Sequence, residues 1–539
     1  MGDFVSRVLP HPSLPHSWGR LFLRIRAMPL ATVNPHATLP LVRKSRRVKK
    51  SLLIGGLLAP LVALGTFEVA AQQPGLTPTD WLKNPVSSAI LAAGGNPHPV
   101  KLLLPPNQPL SAAAQLGKQL FFDTALSRSG KQSCASCHDP ASGYGPPPGS
   151  GPVMLGGPHL TSPGFRPPPS LAYLYRQQNF SIGPDNEENE TVTVQQLVAL
   201  GQAAPRTIKT AQSTAATAKN LVPQGGLFWD GRVNTLQQQA GGPLFNPVEM
   251  DAGTPRRVAA IIQRRPYAPQ FPQLFGPSIF KSPDQVVAEA LFAISRYQIE
   301  DAEFHAFTSK YDAWLQGKAR LSPQEMRGYL AFNDVNKGDC AACHLDKPTR
   351  DGLPPLFTDT QYEALGVPRN PRIPANRDPA YVDLGLCGPF RTDLKKQTQY
   401  CGMFLTPTLR NVARRPVYFH NGVYHSLEQV LDFYNLRDVQ PQDIYPVGGD
   451  GKVDKFNDLP RQLRASVDTV DPPLNRKPGE RPAMSAQDMR DIIAFLKTLN
   501  DGYAPANQGR AVSGRSSRIP MRSQTALVTQ TSGLQRPTP

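Results

Sequence analysis

The chain has 539 residues and 40% hydrophobic content, which suffices for two or three domains that each bury a core. Its formal net charge of +17 lies mainly at the two ends. The first 71 residues hold ten Arg or Lys against two acidic residues, residues 502–539 hold five Arg and no acid, and the part between them carries only +4. Such a weakly basic body excludes nucleic acid as the expected partner.

The N-terminus has the pattern of a secretory signal. Residues 43–50 contain six Arg or Lys, followed by the apolar run 52–65 and small residues up to Ala71. This order predicts that residues 1–71 are a signal segment and that the mature protein is exported to the periplasm. The alternative is an uncleaved membrane anchor, but the apolar run is short and broken by Pro60. No later segment is apolar for long enough to span a membrane, so we expect no stable span after signal cleavage.

The first half of the body contains a helix, a Cys-x-x-Cys-His motif and a loop. Residues 72–110 are rich in Pro, Gly and Asn and are predicted to be a lead-in linker. Apolar residues recur at helical spacing in Ser111–Phe122, and the motif follows at 134–138. The Gly- and Pro-rich segment 142–169 suits a loop wrapped over a cofactor, and the polar segment 181–225 is predicted to be an insertion.

The second half repeats this order of helix and motif. Helical patterns run through 286–294 and 323–332, and a second Cys-x-x-Cys-His follows at 340–344. A final amphipathic helix is predicted over 485–499, and the basic tail 502–539 is predicted to be disordered.

The duplication predicts the architecture. We expect a mainly α protein in which two cytochrome-c-like helical domains pack together, with long irregular loops. The N-terminal domain would comprise residues 111–317, including the insertion, and the C-terminal domain residues 318–501.

The two Cys-x-x-Cys-His motifs indicate two covalently bound haem c groups. In each motif the thiols add to the haem vinyl groups, and the adjacent imidazole becomes the proximal ligand of the iron. A zinc site or a disulfide is the alternative for one such motif, but two copies after matching helices favour haem. The residues concerned are Cys134, Cys137 and His138 in the first motif, and Cys340, Cys343 and His344 in the second.

The remaining cysteines, Cys387 and Cys401, suit a disulfide in an oxidising compartment. Closing a loop of about 15 residues would contribute about 3 kcal/mol to stability.

Together with the motifs, four long strings resemble the bacterial dihaem cytochrome c peroxidase and MauG family. The first half carries "LGKQLFFDTALSRSGKQSCASCHDP" and "FWDGRVNTLQQQAGGPLFNPVEM". The second half carries "MRGYLAFNDVNKGDCAACH" and "FLTPTLRNVARRPVYFHNGVYHSLEQVLDFYN". The resemblance covers most of residues 111–501.

The resemblance implies two unlike haems. The haem on His138 would meet peroxide, with Glu249 and Gln239 on its distal side, and the haem on His344 would exchange electrons. Trp229 would lie between the two. A carboxylate can move a proton between peroxide oxygens, and an amide can orient the bound oxygen. Without the resemblance, each of these residues has a structural alternative. Glu249 could be a carboxylate at a helix start, Gln239 a surface amide and Trp229 a core aromatic.

The chain departs from the peroxidases at the second axial ligand of the C-terminal haem. The family pattern places there a Met, or a Tyr in MauG, fourteen residues after the His of the "YFHxG" motif, which here is Tyr434 after His420. No Met occurs from 404 to 483. A phenolate oxygen favours Fe(III), whereas a thioether favours Fe(II). The alternative is that Tyr434 is a packed aromatic of its helix.

The family suggests one further iron ligand and one calcium site. Some members have a loop His on the distal side of the first haem, and His159 lies at a matching position; the alternative is a solvated loop residue. The family's calcium would use an Asn side chain that falls at Pro167 and carbonyls near Arg415 and Val417. Calcium is not favoured, because proline lacks a side-chain oxygen and Arg415 adds positive charge.

The predicted function is reduction of hydrogen peroxide at the N-terminal haem, with electrons relayed through the C-terminal haem. The partner would be a small electron donor, a cytochrome c or a cupredoxin, or a protein substrate. The alternatives are a MauG-like oxidation of a partner's side chain and a dihaem electron carrier without enzymatic activity. An open coordination site at one iron would separate an enzyme from a carrier.

Overall fold

The computed structural model describes residues 78–184 and 221–504. The predicted signal segment, most of the predicted insertion and nearly all of the predicted tail lie outside these residues. None of the helices in the described ranges has the length and hydropathy of a membrane span.

The described residues are mainly helical, as predicted, with little strand. The α-helices in chain order are α1 (Pro78–Trp81), α2 (Pro85–Ala92), α3 (Ala112–Phe122), α4 (Cys134–Cys137), α5 (Leu236–Phe245), α6 (Pro255–Ile262), α7 (Gln270–Phe275), α8 (Pro283–Glu300), α9 (Lys310–Leu315), α10 (Pro323–Phe332), α11 (Leu427–Leu436) and α12 (Ala486–Lys497). The strands form three short antiparallel pairs: β1 (Leu155–Gly156) with β2 (Ser162–Pro163), β3 (Ser181–Pro184) with β4 (Leu221–Gln224), and β5 (Tyr362–Glu363) with β6 (Phe404–Leu405).

Serine residues fix the starts of the predicted helices. The Ser111 hydroxyl accepts a hydrogen bond from the Ala114 N–H at the start of α3, which satisfies one of the unpaired N–H groups of the first turn. Ser322, Ser426 and Ser485 cap α10, α11 and α12 in the same way. The caps explain why the helices predicted from Ser111 and Ser485 begin one residue later, whereas the helix predicted over 323–332 has the observed bounds.

In each half, the helix before the motif crosses a later helix at a short distance, and a glycine lies at the point of contact. A Cβ atom on Gly117 of α3 would lie 1.9 Å from the carbonyl oxygen of Ala293 in α8. A Cβ atom on Gly328 of α10 would lie 1.9 Å from the carbonyl oxygen of Asp491 in α12. The helix before each motif therefore packs on a later helix through the same backbone contact.

We expect Gly117→Ala to lower the free energy of unfolding by about 1–3 kcal/mol, because the added methyl group would push two backbones apart. Gly151→Ala is the matched control, since its Cβ would meet nothing closer than 3.7 Å. Chemical denaturation of both variants measures the effect. Equal unfolding free energies for the two variants would show that the α3–α8 crossing is not close in solution.

Two large hydrophobic clusters fill the described structure. One combines α3, α5, α6 and α8, and the other combines α9, α10, α11 and α12. Residues 78–110, predicted as part of a linker, contain α1 and α2 and contribute Trp81, Leu91 and Leu102 to the second cluster. These helices were not predicted, because the segment is rich in Pro and Gly and was interpreted as a linker. Each helix in fact starts at a proline, a position that proline favours.

The predicted insertion leaves the body through a strand pair. Ser181 pairs with Gln224, and Pro184 pairs with Leu221. The two ends of the segment between them are therefore held next to each other.

Candidate functional site

The first Cys-x-x-Cys-His folds as a single helical turn. Cys134 and Cys137 lie on α4, and the His138 N–H donates to the Cys134 carbonyl at 3.0 Å. The Ser133 N–H, just before the turn, donates to the Ser136 hydroxyl at 3.0 Å. The turn brings both thiols and the imidazole to one place, as the attachment of one cofactor requires.

The His138 ring is buried and oriented by a carbonyl. Its Nδ1 lies 3.1 Å from the Tyr144 carbonyl oxygen, which can only accept, so Nδ1 carries the proton and Nε2 is free for a metal. Burial lowers the pKa of His138 to about 4. The ring is therefore neutral at pH 7, which is the form that binds iron.

Glu249 and Gln239 come from α5 and the turn after it. Gln239 is a buried residue of the helix. Burial raises the pKa of Glu249, and the nearby Arg232 guanidinium offsets part of this shift. Burial also raises the pKa of Cys137 to about 12, with a further contribution from the negative charge of Glu249. The carboxylate therefore lies close enough to the first motif to act electrostatically on it.

The β1–β2 hairpin packs against the Glu249 backbone. The Gly157 N–H donates to the Glu249 carbonyl at 2.7 Å, and a Cβ atom on Gly156 would lie 2.6 Å from the same oxygen. The sequence reading missed this contact, although the Gly-Gly pair was a signal for close approach. His159 lies in the turn of this hairpin, and its side chain is exposed.

The second motif repeats the environment of the first. The His344 Nδ1 lies 2.9 Å from the Phe357 carbonyl oxygen. Burial lowers the pKa of His344 to about 4, and the positive charge of Arg415 acts in the same direction. This imidazole is also neutral and offers Nε2.

The two carbonyl acceptors are built in the same way. Tyr144 has φ 57° and Phe357 has φ 55°, in the left-handed region that side chains other than glycine rarely adopt. The Leu171 N–H donates to the Tyr144 carbonyl at 3.1 Å, and the Leu409 N–H donates to the Phe357 carbonyl at 3.3 Å. Sequence reasoning missed both turns. A Pro-Ser-Leu and a Pro-Thr-Leu after the two motifs were the available signal.

A large cavity adjoins the second motif. Cys340, Cys343 and His344 line one part of it, and Tyr434 of α11 lines another. Burial raises the pKa of the Tyr434 hydroxyl well above its usual value, with a smaller effect of Cys343. Two thiols, a neutral imidazole and a phenol in a mostly apolar cavity are a suitable donor set for a haem group.

Trp229 and a proline run connect the two motifs. The Trp229 Nε1–H donates to the Pro167 carbonyl at 3.1 Å, and Trp229 lines the cavity together with Pro167–Pro169. The Pro169 backbone acts on the His138 ring and raises its pKa, against the larger opposite effect of burial. One short segment therefore touches the first imidazole and forms part of the wall of the second cavity.

Cys387 and Cys401 form a disulfide, as predicted. The residues that follow it, Gly402, Phe404 and Leu405, line the same cavity. The disulfide therefore closes the loop that leads into the cavity wall.

At the position of the family's calcium, which stays a prediction, the structure places a proline and an arginine. Pro167 has no side-chain oxygen, and its carbonyl accepts the Trp229 hydrogen bond. Arg415 lines the cavity with a guanidinium whose Nε atom is completely buried. A positive charge there opposes the binding of a second cation.

The fold and the two motifs define a dihaem c-type protein, and comparisons with known proteins agree. The model of the di-haem cytochrome c peroxidase family matches residues 111–320. The methylamine utilization protein MauG of Paracoccus denitrificans is 35% identical over 329 residues, which cover 60% of this chain and 74% of that protein. The cytochrome c551 peroxidase of Nitrosomonas europaea is 28% identical over 351 residues, covering 64% of this chain and 78% of that protein.

Among solved structures, the diheme peroxidase BthA of Burkholderia thailandensis superimposes with a TM-score of 0.62 at 35% identity, covering 74% of this chain and 87% of that one. The chain belongs to the dihaem cytochrome c peroxidase family, which includes MauG. The family carries haem c.

Proposed function

We propose that the protein is a dihaem peroxidase that reduces hydrogen peroxide to water at the site of His138 and receives electrons through the site of His344. The observation that carries the proposal is the repeated site: each motif presents a neutral imidazole whose Nδ1 is held by a carbonyl. The named peroxidase relatives supply the reaction.

Each half would hold one haem c covalently through its two cysteines. The two hydrophobic clusters support a two-domain arrangement, with one cluster behind each motif. The bound haem irons would supply the electron exchange with peroxide and with the donor. The chain supplies the attachment, the proximal ligands and the surroundings of each iron.

At the first site Glu249 would be the acid and base. Its raised pKa suits a group that takes a proton from one peroxide oxygen and delivers a proton to the other. Gln239, buried on the helix before it, would orient the peroxide through its amide. Reduction of one peroxide consumes two electrons and two protons and yields two water molecules.

At the second site Tyr434 would be the axial partner of His344, since both line one cavity. Trp229 lies in the wall of this cavity and is anchored to the segment that touches His138, which suits an electron relay between the sites. His159 stays a candidate ligand of the first iron only if the hairpin turn moves, because its side chain is exposed.

A MauG-like oxidation of a partner's side chain is the second candidate function, and Tyr434 is the feature that favours it. An anionic oxygen ligand stabilises higher oxidation states of iron. In the first candidate the partner is a small cytochrome c or cupredoxin, and in the second it is a protein substrate. Export to the periplasm, proposed from residues 1–71, would provide the compartment in which c-type haem is attached.

We expect the mature protein to carry two covalent haems, because each motif supplies two thioether bonds and a proximal ligand. Intact mass spectrometry of the denatured protein measures the haem additions. A Cys134→Ala/Cys137→Ala variant should retain one addition, and a Cys340→Ala/Cys343→Ala variant should retain the other. A denatured mass without two additions would refute the proposed cofactors.

Ferric spectra and peroxide turnover test the proposed activity. A peroxidase should show one high-spin iron in its paramagnetic resonance spectrum and should consume peroxide with a reduced donor protein. An electron carrier would have both irons closed and would show no turnover. A protein with two low-spin irons and no turnover under reducing conditions would rule out the proposed function.

A further inference from the structure

Arg415 is a partly buried cation in the wall of the second cavity. Its Nη2 donates to the Thr408 carbonyl at 2.7 Å and, at 3.5 Å, to the Arg410 carbonyl. Its Nε is completely buried and has no hydrogen-bond partner among the residues that the structure describes. Burial lowers the pKa of Arg415 to about 10, so the guanidinium remains charged at pH 7.

Carboxylates neutralise other buried guanidinium groups of this chain. In the described residues Arg166 pairs with Asp383 at 2.6 Å, Arg410 with Asp312 at 2.8 Å and Arg437 with Asp438 at 2.6 Å. Arg415 forms no such ion pair with a described residue; its contacts are to carbonyl oxygens. A partly buried charge without a counter-ion costs free energy, and the Nε–H of Arg415 is still available to an anion.

The chemistry of the cavity identifies the anion. Arg415 borders the same cavity as Cys340 and His344, and its charge acts on the His344 ring. Six acidic residues line this cavity, and no ion pair joins any of them to Arg415 in the described residues; two of them bind other cations, since Asp383 binds Arg166 and Asp458 binds Arg369. A haem group brings carboxylates of its own, its propionates, and a guanidinium fork matches a carboxylate.

Resting on the haem sites proposed above, we propose that Arg415 binds a propionate of the haem attached at Cys340 and Cys343. The pair would neutralise the buried guanidinium and fix the orientation of that haem. Without the guanidinium the propionate would be an unpaired negative charge, which favours Fe(III) over Fe(II), so Arg415 would raise the reduction potential of the haem at His344.

The test compares Arg415→Gln with Arg414→Gln in the purified dihaem protein. Both variants remove one positive charge, but Arg414 is exposed and donates only to the Asp501 carbonyl. Spectroelectrochemical titration should show that Arg415→Gln shifts the Fe(III)/Fe(II) ratio of the second haem about tenfold toward Fe(III), which is about 59 mV for one electron. Arg414→Gln should leave this potential unchanged.

Resonance Raman spectra give a second readout, because the propionate bending bands should shift in Arg415→Gln and not in Arg414→Gln. Arg415→Lys keeps the positive charge, so the reduction potential of its second haem should stay close to the wild-type value. If Arg415→Gln loses the second haem and Arg415→Lys keeps it, this result supports the need for a cation at this position. Equal potentials and unchanged propionate bands in Arg415→Gln and wild type would overturn the inference. Absence of the second haem from the wild-type protein would instead refute the proposed function.

Discussion

Replacing Glu249 with Gln is expected to lower peroxide turnover about a hundredfold or more while both haems stay attached. The amide has nearly the shape of the carboxylate but cannot accept a proton from peroxide. Stopped-flow or steady-state turnover with a reduced donor, together with the mass of the variant, measures the effect. Glu480→Gln is the control, because Glu480 is an exposed carboxylate whose removal changes the charge equally.

The pH dependence of turnover sharpens this test. Burial raises the pKa of Glu249, and the proton-accepting form is the carboxylate. Turnover of the wild type should therefore fall as the pH decreases through a value above the usual carboxyl range. In Glu249→Gln this acidic limb should disappear. Wild-type activity in the Gln variant, or an unchanged acidic limb, would assign the proton transfer to another group.

Replacing Tyr434 with Met is expected to raise the reduction potential of the second haem. A thioether stabilises Fe(II), whereas a phenolate stabilises Fe(III). We expect the Fe(II)/Fe(III) ratio to rise at least tenfold, about 59 mV or more, and the variant to depend on prior reduction as an electron-accepting peroxidase would. Tyr434→Phe should instead open the coordination position and give a high-spin ferric spectrum.

Tyr418→Met is the matched control for Tyr434→Met. Tyr418 lines the same cavity, but its hydroxyl donates to the Val412 carbonyl at 3.2 Å. Redox titration and ferric spectra of the four proteins make the comparison. If both Tyr434 variants keep the wild-type potential and a low-spin spectrum, Tyr434 is a packed aromatic, and the MauG-like function loses its support.

The sequence predicted those parts of the fold that have a local signal. The helix Ser111–Phe122 was predicted because its apolar residues repeat at helical spacing. α1 and α2 were not predicted, because their packing depends on distant partners of the second cluster, such as Trp314 and Leu321. Composition alone cannot show that Trp81 belongs to a core more than 200 residues away.

In the candidate sites, too, the features with a local sequence signal were predicted and those that depend on the fold were not. The motifs around His138 and His344 were predicted because all ligands lie within five residues of sequence. The carbonyl groups that orient both rings were not predicted, because the Pro-Ser-Leu and Pro-Thr-Leu strings do not by themselves show that Tyr144 and Phe357 have positive φ. The sequence also could not show that Arg415 lacks a carboxylate partner in the described residues, because this depends on what surrounds the side chain in space and not on its neighbours in the chain.

The matching turns around His138 and His344 have an evolutionary consequence. Both halves keep the same helix crossing, carbonyl acceptor and leucine N–H, so the proximal framework behaves as one inherited module present in two copies. Specialisation of the copies must then reside in residues that reach each site from outside the module. A lineage could exchange peroxidase and protein-oxidising functions by changing a few such residues, of which Tyr434 is one, while the module that attaches each haem stays the same.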